Sequence, residues 1–582
     1  MAVDYPAAMP ILPGAPRRNN DTNVLLGARR ALAFPPAFAY TAAQDGIPGM
    51  TRWRSTTTAV LLALGLAVAP PAVLAQSPKY GGVLTLMQRE ELPQGLSILE
   101  TSTIATVWPA SPCFNNLVYF DPAKPTETPD TIVGELAEKW SWQDGFRNLV
   151  FFLRRDVKWH DGHPFTSRDV KFTFDLVREA PEATGKLRLN PRKDWYANLE
   201  AIEAADPYTV VFRLKRPQPS ILMMLASGQS PIYPAHVPLG DQRSRCVGTG
   251  PFKFKEWRRG EYVEYVRNPD YFVKGRPYLD GLKYVIISER GTRTAALQAG
   301  RLDSSAPGEI TKSIADQLKA AVPGMVITRV GSLTSPNLLV NHTRAPFNDV
   351  RVRRAVDLAI DRDGYTKGVL QGAGVAGAAL VPRPFGSWGL SDGELGQILG
   401  RPDGRKAAAR KLLAEAGYNP ANPLRFEAQT RGIATYVDLA SYVVSELRQV
   451  GVEITVKQLD SVQWYGVTTR KEFQLGINIS GYGVDDPDAI LFENYTCASL
   501  RNYTGYCDEA VSRLIEQQSQ ELDLRKRVAL VHAIQKKLVE AGARPTVAWG
   551  IDHFAHWPYV KNLVPHHSLY SFGRMQNVWL DR

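Results

Sequence analysis

Several clusters in the chain bring together side chains able to do chemistry. His160-Asp161-Gly162-His163 sets two imidazoles around a carboxylate. Asp-Gly is first a turn, and histidines at i and i+3 outside a helix have no enforced common face, so the segment reads as turn structure rather than a metal or catalytic pair. Gly248-Thr249-Gly250-Pro251 lacks the Lys-Ser/Thr with which a phosphate loop reaches phosphate and magnesium. It reads instead as a tight approach of one segment to a sheet. Asp485, Asp486 and Asp488 form the sharpest acidic cluster. A calcium loop starting at Asp485 needs a glutamate near its twelfth position, which here is Thr496. Pro487 points to a rigid loop after a strand, where binding side chains are commonly displayed. Two roles stay open for these carboxylates: lining or closing a ligand cleft, or holding the loop itself.

No GxSxG, HExxH or other nucleophile pattern accompanies His566-His567, and no Ser-His-Asp set is selected by spacing. Trp140, Trp142, Trp159 and Trp257 read as packing residues. Trp464 lies close in sequence to the 480s loop and is a candidate for facing a ligand. The residue types therefore favour binding over catalysis, and no cofactor or metal site is expected.

The elements that must position such a site are legible in part. Gly82–Met87 reads as a first strand, and Leu136–Trp142, Asp144-Gly145 and Leu149–Leu153 as a strand-turn-strand passage. Thr166 or Ser167 can cap a helix with Asp169 in its first turn and Val170, Phe174 and Val177 on one face. Thr209–Leu214, Gly250–Trp257, Tyr262–Arg267 and Leu282–Ile287 read as a second sheet region. From Val350 helices and strands interleave: Val350–Ile360, Arg405–Ala416 and Thr435–Val450 are helical, and Leu424–Thr430, Val452–Val456 and Phe473–Ile479 are strands. Asp508–Ile515 and Leu522–Ala541 are helical again, and Thr546–Trp549 is placed to carry the chain back to the first part. An α/β fold follows, with more length than a single core accommodates.

Arg52 and Arg54 precede the apolar stretch Ala59–Pro70 and the cleavage pattern Val73-Leu74-Ala75, which together read as an export signal over residues 50–75. Cleavage after Ala75 leaves Gln76 first, with no cysteine at the junction for lipid attachment. Met50 directly precedes the basic region, so residues 1–49 are a candidate mis-assigned extension. Export places the protein in the periplasm of a double-membraned bacterium, soluble and without stable membrane insertion. Four cysteines are then structural additions. They allow three pairings, of which spacing favours Cys497 with Cys507, nine residues apart in a turn-rich loop, and Cys113 with Cys246. The net charge of +11 is scattered, with no aromatic-interleaved basic cluster of the kind that binds nucleic acid.

LAEKW (136–140), FFLRRDVKWHDGHPFTSRDVKFTFD (151–175), GTGPFKFKEW (248–257), VRNPDYF (266–272), PFNDVRVRRAVDLAIDRD (346–363), ARKLLAEAGY (409–418), LRQVGV (447–452) and DDPDA (485–489) follow one another in order along nearly all of the exported part. In these pieces the chain resembles the family 5 extracellular solute-binding proteins, receptors of ABC importers that include periplasmic dipeptide- and oligopeptide-binding proteins. The resemblance implies a two-lobed periplasmic-binding-protein fold of α/β class, with a hinge and an additional domain inserted in lobe I. Lobe I would comprise 76–112, 236–332 and the return 546–582, the inserted domain 113–235, and lobe II 333–545. It also implies a non-enzymatic, monomeric receptor that closes on a solute and docks on a permease with its ATPase complex.

In dipeptide-binding members an aspartate three residues before the Asp-Pro-Asp segment pairs with the ligand ammonium. The residue here is Gly483, with Asp485 near enough for a shifted loop to compensate. An arginine before the LRQVGV helix pairs with the ligand carboxylate, and Arg431 lies in the corresponding region. Arg431, Trp464, Tyr482, Gly483, Asp485 and Asp486 are thus the expected ligand-binding residues, with Tyr436, Trp464 and Tyr482 as aromatic platforms should the solute be a sugar. A peptide or amino-acid-derived solute is favoured, and an oligosaccharide, an opine-like compound or a metal chelate remains as an alternative. From other classes, a secreted hydrolase or a chaperone-like periplasmic binder stays in view.

Overall fold

The computed structural model describes residues 77–582. The export signal and the stretch before it lie outside the described residues. Among those described, no helix is long and apolar enough to cross a membrane.

The architecture is a two-domain α/β fold. One sheet runs Val83–Gln88, Gly281–Ile286, Tyr262–Arg267, Phe252–Arg258; its first pair is parallel and the others antiparallel. Another runs Thr334–Val340, Leu475–Gly481, Leu424–Arg431, Val452–Leu459, with the last three strands mutually parallel. Helix Ala434–Arg448 is the crossover between Leu424–Arg431 and Val452–Leu459, and Gly451 at φ 85° makes the reversal that an L side chain resists. Strand Trp549–His556 pairs with Val326–Gly331 and brings the chain back from the second domain to the first. Outbound, only Ser332 and Leu333 separate Val326–Gly331 from Thr334–Val340.

Ala137–Gln143, Asn148–Leu153, Thr209–Leu214 and Leu199–Asp206 form an antiparallel sheet of their own. Thr209–Leu214 therefore pairs with Asn148–Leu153 and not with the strands after Gly250, as its sequence neighbourhood suggested. Cross-strand packing decides the partner: Phe212 meets Phe151 edge-on at 5.3 Å and Phe174 at 4.9 Å. Asp144 and Gly145 take positive φ (48° and 57°), the conformation a tight hairpin needs. Thr166 caps helix Ser167–Val177 in a reciprocal box with Asp169. This sheet shares one apolar core with the sheet that begins at Val83, whereas the second domain builds separate cores around Leu338 and Val443 and around Ile490 and Val531. Cys113 is bonded to Cys246, and Cys497 to Cys507.

Candidate ligand-binding cleft

Strands Leu424–Arg431 and Leu475–Gly481 run parallel, so their carboxyl ends open on the same side. Across from them end Val83–Gln88 and its parallel neighbour Gly281–Ile286. Between these strand ends lies a cavity of about 480 Å³, in the range of small-molecule sites. Arg89, Thr103 and the loop at Pro307–Gly308 line one side; Arg431, Tyr436, Trp464 and Ser480 line the other. Ile551 and Asp552 from the returning strand, and Arg501 and Tyr503 from the loop closed by Cys497–Cys507, complete the wall.

Arg431 ends its strand at the cavity and is buried, with 2% of its surface exposed. Its guanidinium donates to Glu90 at 2.8 Å, to Ser461 Oγ through Nε at 3.0 Å, and to the Tyr436 hydroxyl at 3.2 Å. Glu90 follows the strand Val83–Gln88, so this ion pair spans the cleft. Burial works to raise the Glu90 carboxyl, but Arg431 and Arg89 outweigh it and hold it below the ordinary glutamate range. Arg89 in turn bonds Glu309 at 2.9 Å. The cation expected to receive a ligand carboxylate is thus already matched by an acid of the protein.

Trp464 stands on helix Ser461–Thr469 and lines the cavity while packing against Leu339, Leu459 and Phe473. The other expected residues lie outside the cavity wall. Tyr482 is buried against Trp549, ring centres 5.7 Å apart. Gly483 is enclosed: a Cβ there would come within 2.6 Å of Gln229 and of Trp195. Asp485 accepts the Ser387 N–H at 3.0 Å, and burial, aided by the charges of Asp486 and Glu127, pushes its carboxyl up to about 7. Asp486 caps helix Pro487–Tyr495 and is ion-paired with Arg527 at 2.8 Å. Asp488 has no exposed surface and accepts from Gln218, Ser220, Ser519 and Arg527. The acidic cluster is a helix start and a buried hub, and none of its three carboxylates lines the cavity. At the other candidate cluster, Asp161 accepts from His163 at 3.1 Å and His236 at 2.8 Å on the surface.

Sequence reasoning missed Asp552 and Arg501. Asp552 sits mid-strand in Trp549–His556, opposite Val330, and bonds Ser332 Oγ at 2.9 Å. Burial raises its carboxyl to about 6, against the effect of that bond and with help from Glu309. The signal was an aspartate inside WGIDHFAH, a strand whose other residues suit a pleated sheet. Arg501 is 8% exposed; its Nε lies 3.2 Å from Glu493, which Arg192 also contacts, so two guanidinium groups share that carboxylate. Nothing in the spacing of Cys497 and Cys507 disclosed that the loop between them faces a cavity.

The cavity thus lies between the two domains, at the ends of their strands. Residues 131–502 match the family model described as bacterial extracellular solute-binding proteins, family 5 Middle, and the chain belongs to that family of non-catalytic binding proteins. It is 28% identical over 502 residues to di/tripeptide-binding protein 2 of Pseudomonas aeruginosa, covering 81% of this chain and 90% of that one. Among solved structures it resembles the periplasmic binding protein DppA of Helicobacter pylori in complex with the peptide STSA (TM-score 0.75, 21% identity, 87% of this chain and 99% of that one). It is equally similar in fold to AgaA of A. tumefaciens R10 in complex with agropinic acid (TM-score 0.75, 23% identity, 86% and 99%).

Proposed function

We infer that this chain is the periplasmic receptor of an ABC importer and captures a peptide by closing two lobes on it, then presents the closed form to a permease. The observation that carries this reading is the cavity of about 480 Å³ at facing strand ends, in a chain of this family. The names of its relatives support a peptide as the solute. Lobe I is formed by 76–112, 236–332 and 546–582, lobe II by 333–545, and the sheet within 113–235 is an insertion in lobe I. The hinge lies where the chain crosses at Ser332-Leu333 and again before Trp549. Closure requires that the solute bind the closed form better than the open one. Glu90 and Arg431 support such a closed form by joining one side of the cleft to the other.

An export signal at 50–75 delivers the protein to this compartment. Native mass spectrometry of the protein purified gently from a periplasm, with fragmentation of whatever it retains, tests the solute class. A heterogeneous set of peptide masses is expected. A single opine-like or sugar-like mass would overturn the peptide assignment and leave the receptor in place.

A further inference from the structure

We propose that Asp552 receives a positively charged group of the solute, an ammonium in the case of a peptide. The proposal rests on the peptide-receptor reading above and adds where the cation goes.

The acids around the cavity divide sharply by partner. Glu90 is bonded by Arg431 and Arg89, Glu309 by Arg89 and Arg293, and Asp438 by Arg290. Asp552 is the exception. Among the described residues its side chain has a hydrogen bond from the neutral Ser332 hydroxyl and no lysine, arginine or histidine in ion-pair contact. It is half-buried and lines the cavity together with Gly550, two residues before it on the same strand. A carboxylate drawn out of water without a counter-charge is unfavourable. Its position in the middle of a strand, where aspartate is disfavoured, adds to that. A cation in the cavity removes the mismatch. The acids near Gly483 lie outside the cavity wall, and Asp486 is already ion-paired with Arg527.

The carboxyl of free Asp552 lies at about 6, raised by burial and by Glu309, the charged group that bears on it. A bound ammonium requires the ionised form. Affinity for a cationic solute should therefore be constant above about pH 6 and fall as pH drops through that value.

The test uses the exported protein freed of retained solute, as wild type and Asp552→Asn, which keeps an acceptor for Ser332. Dissociation constants are measured for a panel of free tri- and tetrapeptides, their N-acetylated forms, and simple non-peptide amines. Free peptides binding wild type at least tenfold tighter than acetylated ones, with that preference lost in Asp552→Asn, is the expected result. Equal binding of free and acetylated peptides, or an unchanged preference in the variant, overturns the role of Asp552 and leaves the peptide reading intact. Binding of non-peptide amines alone, abolished by the variant, supports Asp552 and overturns the peptide reading. Wild type that binds no cationic compound overturns both. Should Asp552→Asn fail to fold, the pH profile of wild type decides: a flat affinity for free peptides between about pH 5 and 7 overturns the proposal.

Discussion

Gly483 shows how a residue can occupy an expected functional position and have no room to serve there. Installing the carboxylate that the family resemblance leads one to expect, as Gly483→Asp, would drive a side chain into Gln229, Trp195 and Ser227. We expect Gly483→Asp to destabilise the protein by about 1–3 kcal/mol, as overpacking does, and not to improve peptide binding. Urea denaturation and titration with a free tripeptide check the two halves of that statement. Arg431 is the converse case: its residue type was legible, but its partner was not. Glu90 is 341 positions away in sequence, and no local pattern announces it. Arg431→Ala should leave Glu90 without its main partner, so it should weaken the closed form whether or not the solute is anionic. Equal loss of affinity for neutral and anionic solutes would distinguish this from direct recognition of a carboxylate.

At the scale of elements, the sequence was most informative where local chemistry decides. The Asp144-Gly145 hairpin, the box at Thr166 and Asp169, and the glycine stop at Gly451 are written in adjacent residues. The partner of Thr209–Leu214 was not, because it depends on aromatic packing with Phe151 and Phe174, far away in the chain. The acidic run at 485–488 left two roles open for a related reason. A helix start and a ligand loop call for the same residues, and only the position of Arg527 separates them. The two disulfides differ in the length of chain they close, with separations of 133 and 10. Loop-closure entropy then gives about 5 kcal/mol for Cys113–Cys246 and about 3 kcal/mol for Cys497–Cys507. The paired serine variant at 113 and 246 should lower the melting temperature more. The pair at 497 and 507, which frees the loop bearing Arg501 and Tyr503, should do more harm to binding. Melting curves and peptide titrations on the two variants, side by side, are the check.

For the whole molecule, the charge pair between Glu90 and Arg431 would link the proposed closure to acidity. Because the Glu90 carboxyl is held below its ordinary value, its contribution is present above about pH 4.5 and is lost as pH falls through the lower folded value. Small-angle scattering on wild type and Glu90→Gln should find the variant more open at neutral pH, with wild type approaching it in acid. Unchanged scattering for the variant would remove the pair from the closing device.

Asp488 sets a condition on how such a receptor lets go. Its carboxylate is fully enclosed by donors from residues 218–220 on one side and 518–527 on the other. If these stretches part company during opening, water must take the places of Gln218 and Ser220 on an anion that keeps Gln518, Ser519 and Arg527, so letting go of cargo carries a hydration cost that no solute contact reports.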